Sequence, residues 1–338
     1  CYPLLALSGV RRTISVSAEP IAPSKCLREL RSARVAKRAD EAQRRRLGQI
    51  ETAADDEEVA ALQRREQELG EDVLRQVERL GRHCLLFHER LRPKGALSES
   101  LVVDGFETFE FSQYTPVHFH TAVGADSHYV YGFTDSELRR KGRMTARQKQ
   151  RRAQLELRFG RPDPRSIERE MAALLELVTP AGARVEIHSD EHPAYPRALA
   201  RVRDRALTHA TTRSTVARTP HNPLFPVNLL DLLIRHSSAN HKRETIAFSK
   251  RRQSAADRLF VLAVWRNYVK PFSERRRDAT PAQRLGILGR KLTVDEVLAE
   301  RLFPQRIGLP ARWEPYYWRL TPTRRIPNGR RHALRYAA

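Results

Sequence analysis

Near residue 100 the period of the apolar positions changes. From Arg46 to Leu91, Leu and Val recur at helical spacing among Glu, Gln and Arg, which predicts two or three helices. From Leu101 the chain turns to short runs rich in Val, Phe, Tyr and Thr, beginning at Leu101, Val117 and His128 and bounded by Gly, Pro and Asp. These predict three consecutive strands of an antiparallel meander. Met144 to Leu177 returns to Arg, Glu, Gln, Leu and Ala, broken at Gly160-Arg-Pro-Asp-Pro164, so two helices about a turn are expected. Ala183 to Asp190 reads as a fourth strand ending in an acid, and a helix is expected after Pro193. Thr211 to Pro226 reads as an irregular connector, and Val227 to Lys270 as a long helical region with Trp265, Tyr268 and Val269 as core anchors. The order strand, strand, strand, helix, strand, helix specifies a mixed α/β sheet.

Four segments follow from this pattern. Residues 1–45 are irregular and basic. Residues 46–95 are helical, and either form a helix-turn-helix whose last helix, around Glu71 to Arg82, enters a major groove, or a solvated helical hairpin. Residues 98–272 hold the mixed α/β core, with a helical insertion at 144–178. Residues 273–338 form a basic, Pro-interrupted tail, where Trp313, Tyr316, Tyr317 and Trp318 stand among arginines. Such aromatics either grip nucleic acid or pin the tail to the body.

Charge narrows the class of partner. The 338 residues carry 62 basic against 40 acidic side chains, a net +22. An excess of that size attracts polyanions, of which DNA and RNA are the common ones; a GC-rich genome explains a preference for Arg over Lys better than it explains the net charge. Cys1, Cys26 and Cys84 are too few and scattered for a disulfide framework or a four-thiolate zinc site, so a reducing, cytoplasmic setting is expected. No apolar run approaches the roughly 18 residues a membrane span needs. The opening Cys1-Tyr-Pro-Leu-Leu-Ala-Leu has no basic leader, so neither an export signal nor a membrane partner is expected. Because the first residue is Cys1 and not Met, an N-terminus further upstream is expected.

Two acids carry candidate chemistry. Asp104 follows Leu101-Val-Val inside the first strand, where an acid is buried in the sheet unless a cation compensates it. Asp190 closes the fourth strand, at the end where α/β sheets present functional groups. Two-metal phosphoryl transfer needs carboxylates that converge from different elements, because two divalent ions about 3.5–4 Å apart share hard oxygen ligands. The third acid is either Asp231, in the apolar run Asn228-Leu-Leu-Asp-Leu-Leu-Ile-Arg235, or Glu244, in the charged run His241-Lys-Arg-Glu-Thr. Asp231 is preferred, since an inward-facing acid in an apolar helix is otherwise hard to justify, whereas Glu244 reads as a solvated face.

The run Arg243-Glu-Thr-Ile-Ala-Phe-Ser-Lys250, with Arg235 eight residues ahead, resembles the C-terminal signature of insertion-sequence DDE transposases. Asp104-Gly-Phe-Glu-Thr-Phe-Glu-Phe, Thr121-Ala-Val-Gly and Ile187-His-Ser-Asp-Glu-His-Pro-Ala-Tyr195 extend the resemblance over about residues 80 to 275. It implies an RNase H-like catalytic core that cuts DNA at transposon ends and joins the 3′-hydroxyl to a target, using Mg2+ or Mn2+. Asp104 is then the first-strand acid and Asp190 the second. The partner is double-stranded DNA, both transposon ends and target, bound by a homo-oligomer in the bacterial nucleoid. Two departures stand out. The family's Glu, seven positions before Arg235, is here Asn228, the acid being displaced one helical turn to Asp231. The four-cysteine ribbon and clear helix-turn-helix with which such transposases often begin are not intact.

Arg235, Lys242, Arg243, Lys250, Arg251 and Arg252 are expected to flank the acids and neutralise the DNA backbone. His188 and His192 bracket Asp190 and either steer a water or satisfy hydrogen bonds near a loop. His118 and His120 alternate with Phe119 and share a face; no zinc site is expected there. No glycine-rich phosphate loop and no Ser or Cys nucleophile is evident. Two rival readings remain open: a catalytically inactive or repurposed DNA-binding relative, and a structural RNA-binding protein, which Asp104 and Asp190 argue against.

Overall fold

The computed structural model describes residues 56–241, 251–275 and 277–322. Chain contacts divide it into Cys1–Leu69 and Gly70–Ala338. Of the first unit only the start of helix α1, Asp56–Leu91, is described. The second unit holds a five-stranded sheet of β1 (Leu101–Phe109), β2 (Pro116–Gly124), β3 (Val130–Glu137), β4 (Arg184–Ser189) and β5 (Ala206–Thr211), in the order β3-β2-β1-β4-β5. β1, β2 and β3 pair antiparallel, whereas β4 runs parallel to β1 and β5 parallel to β4. That order and those directions define the RNase H-like fold.

The register assigns the faces. His118, His120, Thr134 and Ser136 share one face, since His120 pairs Thr134 and His118 pairs Ser136. Helix α2 (Ala146–Phe159) leads to α3 (Ser166–Val178), and α3 lies on that face, where the Thr134 hydroxyl donates to the Glu170 carbonyl at 2.7 Å. Helix α3 also packs on α4 (Ala194–Arg201). Asp104, Phe106, Phe119 and Phe133 occupy the opposite face. It is covered by α5 (Phe225–Ser237), the 3-10 turn Ala239–His241 and α6 (Arg252–Val264), which continues into a π-helical turn at Trp265–Val269. Phe106 stacks on Phe119 at 5.5 Å and meets His241 edge-on at 5.6 Å, while Phe133 meets Phe260 at 4.4 Å.

β3 is an edge strand, and unpaired edges invite association with other chains. Here its outward carbonyls are taken one after another by side chains. His88 Nε2 donates to Tyr131 O (3.1 Å), Trp313 Nε1 to Phe133 O (3.0 Å), Arg312 Nη2 to Asp135 O (3.1 Å) and the Ser166 hydroxyl to Glu137 O (2.9 Å). Asn267, carried by the π-helical turn, bonds both the N–H and the carbonyl of Val130 at 2.9 Å.

Several sequence-based expectations are corrected here. The helices predicted for 46–95 are, among the described residues, one uninterrupted helix from Asp56, so Glu71 to Arg82 is not the second member of a helix-turn-helix. Gly70 does not break it, since a glycine inside a helix costs only about 1 kcal/mol. The last turns of α1 bury Cys84, Leu85, Leu86, Phe87 and His88 in the core. The segment expected as an insertion includes α3, which is integral to one sheet face. Up to Pro322 the expected tail is a string of short helices, Pro281–Arg284, Val294–Ala299, Pro304–Ile307 and Glu314–Tyr317. Trp313 and Tyr316 are fully buried there, so these two anchor the segment to the body, while Trp318 stays half exposed. Tyr268 is buried and Trp265 and Val269 partly so, as expected of core anchors. No described helix is long and apolar enough to cross a membrane.

Replacing Trp313 by Ala removes packing against Phe260 and uncovers the Phe133 carbonyl. It is expected to cost about 3–5 kcal/mol, whereas Trp318→Ala should stay within ~0.5 kcal/mol; urea unfolding of the two variants checks the difference.

Candidate active site

Asp104 and Asp190 are brought together by strand register. Leu101 pairs Ile187 and Val102 pairs His188 in the parallel β1–β4 ladder. Continuing it by two residues sets Asp190, just past the end of β4, beside Asp104, with neighbouring strands about 4.8 Å apart. Beyond that point β1 has a strand partner, β2, on one side only. The pair therefore sits where the parallel half of the sheet ends, the place at which open α/β sheets present ligand-binding groups. Asp190 is fixed by a short turn, its Oδ1 accepting the His192 N–H at 2.9 Å. Asp104 Oδ1 accepts the Gly105 N–H at 2.7 Å and the Tyr195 hydroxyl at 3.3 Å. A side chain at Gly105 would collide with His118 Nε2 and the Phe119 carbonyl, 2.1 and 2.6 Å from where its Cβ would stand.

Asp231 comes from α5, packed across the Asp104 face. Its Oδ1 is buried and accepts no hydrogen bond among the described residues. Burial, followed by the negative charge of Asp104, pushes its carboxyl up to about 7, against the pull of Arg235 and Arg218. Asp104 is pushed up to about 6, first by burial and then, opposing its hydrogen bond from Gly105, by the charge of Asp190. Burial and the charges of Asp104 and Asp190 also drive the Tyr195 hydroxyl far above its ordinary range, which keeps it a donor.

The contrast is Asp135, an equally sheet-bound acid on β3. It lies 3.0 Å from Arg252 Nε and 3.0 Å from Arg312 Nη2, and accepts the Tyr316 hydroxyl. In a chain of net +22, one buried acid is met by two guanidiniums while Asp104, Asp190 and Asp231 form no ion pair among the described residues. Carboxylate oxygens that raise one another's affinity for protons also favour a hard divalent cation. The orphaned Asp231 Oδ1 fits that need. Nevertheless, no three His, Cys, Asp or Glu side chains among the described residues stand close enough to hold a metal ion.

Of the expected phosphate contacts, Arg251 is exposed at the start of α6 and Arg235 stands one turn from Asp231, its Nε buried without a hydrogen-bond partner among the described residues. Arg252 departs from expectation: it is buried, bridging Asp135 and Glu137, because the edge of the sheet requires its charge. Glu244, Lys242, Arg243 and Lys250 lie outside the described residues. His118 and His120 do share a face, with rings 4.6 Å apart. His188 is turned to Glu186, with Nε2 3.2 Å from Oε2. Sequence reasoning assigns no role to Tyr195 or to Arg218, the latter an exposed residue of the β5–α5 connector whose charge is felt by Asp104 and Asp231. The one signal for Tyr195 is its place five residues after Asp190 in the resembling run; nothing marks Arg218.

No protein-family model and no curated protein matches the chain. Among solved structures, it is similar to the simian T-cell lymphotropic virus intasome in complex with PP2A regulatory subunit B56 gamma, at 15% identity and a TM-score of 0.24. That match covers 57% of this chain and 56% of the other, so the chain spans little more than half of that relative's length. It is also similar to the HTLV-2 integrase catalytic core domain in complex with magnesium, in its trimeric form, at 13% identity and a TM-score of 0.26, covering 56% and 98% of the two chains. These similarities transfer no residue roles.

Between about pH 4, where an unfolded Asp titrates, and pH 7, the folded chain retains protons on Asp104 and Asp231 that the unfolded chain has released. Their contribution therefore lowers stability as pH rises through that window. Buried neutral histidines such as His88 and His241, pushed down to about 3, act in the opposite sense below pH 6.5. The Asp231 contribution is isolated by comparing native chain with Asp231→Asn. In metal-free buffer the variant is expected to be more stable at pH 8 by on the order of 1–3 kcal/mol, with the gap closing toward pH 4; thermal melts at both pH values check this.

Proposed function

We propose that the protein is a metal-dependent DNA strand transferase of the transposase type, cutting DNA at the ends of an insertion sequence and joining them to a target. The observation that carries this reading is that strand register sets Asp190 beside Asp104 at the end of the parallel half of an RNase H-like sheet, with Asp231 on the helix packed across the Asp104 face, and that none of the three forms the arginine ion pairs that Asp135 receives. Asp104, Asp190 and Asp231 would hold Mg2+ or Mn2+. When bound, the ions supply charge to polarise a phosphoryl oxygen and to acidify the attacking hydroxyl.

The chain's own residues have limited tasks. A water or DNA 3′-hydroxyl oxygen attacks phosphorus as the opposite P–O3′ bond breaks, so no covalent enzyme intermediate forms. Asp104 and Asp190 bind and orient, and Tyr195 holds Asp104 Oδ1 in place. Arg218 and Arg235 offset the carboxylate charge, which a phosphodiester would otherwise meet as repulsion. Arg251, with Lys242, Arg243 and Lys250, would neutralise the backbone alongside. DNA is engaged by a homo-oligomer, since two ends must be held at once.

A second reading is favoured by one observation: no third ligand stands close enough to complete a metal cage among the described residues. In it the protein is a catalytically inactive DNA-binding relative. The deciding measurement is Mg2+- or Mn2+-dependent strand transfer on duplexes carrying the element's ends. Asp190→Asn is expected to lose on the order of 10²-fold or more in rate while still binding DNA. Binding without cleavage by both the native chain and the variant would establish the inactive relative.

A further inference from the structure

Helix α2 has no buried residue. It leaves the sheet after β3 and returns to α3, and residues 139–161 carry ten basic side chains against one acid, nine of the chain's net +22. We propose that this arm is a second site for duplex DNA, gripping the phosphate backbone without reading sequence. The proposal rests on the reading of the protein as a DNA strand transferase and adds a surface that the acid-flanking arginines do not include.

Two observations support it. First, Arg147, Arg151 and Arg158 fall at i, i+4 and i+11, on one exposed face of α2. At 1.5 Å per residue they form a rail about 16 Å long, and a duplex presents one negative charge per ~1.7 Å of its axis. Like charges at i, i+4 disfavour an isolated helix, and burial offers no compensation here, so an external polyanion is the missing partner. Second, the arm's ion pairs lie at Glu156 and leave the rail without an acidic partner among the described residues, Arg151 bonding only the Gln154 amide oxygen at 3.3 Å and Arg158 lying over the Phe159 ring. Arg139 clamps Glu156 through two bonds of 2.8 and 3.0 Å, and Arg152 bonds the Arg140 carbonyl at 3.0 Å. Arg143, Arg147 and Lys149 have no acidic partner among the described residues. A cavity of about 260 Å3 at the root is lined by Arg139, Arg140, Lys141, Arg152 and Arg161, and Arg140 leaves its Nη1 buried there with no acceptor.

The test compares salt-dependent binding of a 30-bp mixed-sequence duplex by three forms of the full chain. One is native. The second carries Arg143→Gln, Arg147→Gln, Lys149→Gln and Arg151→Gln. The third carries Arg275→Gln, Arg277→Gln, Arg301→Gln and Arg306→Gln, which removes equal charge from exposed positions elsewhere. The arm variant is expected to bind about 10–100-fold more weakly at low salt, with a log–log salt slope shallower by roughly 2–4. A variant in which Arg143, Arg147 and Arg151 become Lys should keep the native slope, which separates lost charge from a frayed helix. Equal losses in the arm and control variants, or a native slope in the arm variant, would overturn the proposal. Failure of the native chain to bind duplex would sink both it and the strand-transferase reading. Arm-dependent binding with no cleavage in Mg2+ or Mn2+ would sink the latter alone.

Discussion

Strand β1 pairs with β2 along its whole length and with β4 only at its beginning. This lopsided pairing places the site. The parallel register sets Asp190 beside Asp104, and the early end of β4 leaves the far flank of β1 open. A slip of one residue in β1 would send Asp104 to the α3 face and Gly105 to the α5 face, and glycine is required where His118 crowds the backbone. The position of α5 follows from the same register, because Phe106 and Phe119 face α5 and the turn after it, and this brings Asp231 over the acid on β1.

Charge is distributed with the opposite logic at two places in one sheet. Around Asp135 the protein commits Arg252 and Arg312 to a single buried carboxylate. At the other side of the same face, Asp104 and Asp231 remain under mutual repulsion in a strongly cationic chain. Meanwhile α2 holds a dense run of cations on a helix that buries nothing. Carboxylates that form no ion pair and a helix whose arginines and lysine far outnumber its one acid thus stand on one body, an arrangement that folding energetics alone does not favour.

The sheet is legible in the sequence because its first four strands alternate β-rich runs with turn residues, and the acids at Asp104 and Asp190 interrupt that pattern visibly. β5, Ala206–Thr211, is not legible: at an edge and largely uncovered, Ala-Leu-Thr-His-Ala-Thr needs no apolar alternation. The single helix α1 reads as several because charge crowding and Gly70 look like breaks. The segment after Phe272 reads as a tail because its anchors, Trp313 and Tyr316, are isolated in sequence and find the core only in three dimensions. The inward turn of Asp231 is recoverable, since an acid set among the leucines of a helix stands out as costly to bury. Arg252 is misplaced by sequence reasoning because a basic run gives no sign of which member turns inward. Tyr195 and Arg218 act across the fold, through a hydroxyl and a charge that no local pattern announces.

The covered edge at β3 has a consequence for how the molecule meets its own kind. Four carbonyls there are capped by His88, Trp313, Arg312 and Ser166, while β5 at the other edge pairs only with β4. Among the described residues, strand-to-strand addition is therefore open only at β5. With β3 filled in this way, lengthening of the sheet is confined to one direction, and the backbone on that side cannot template a further strand.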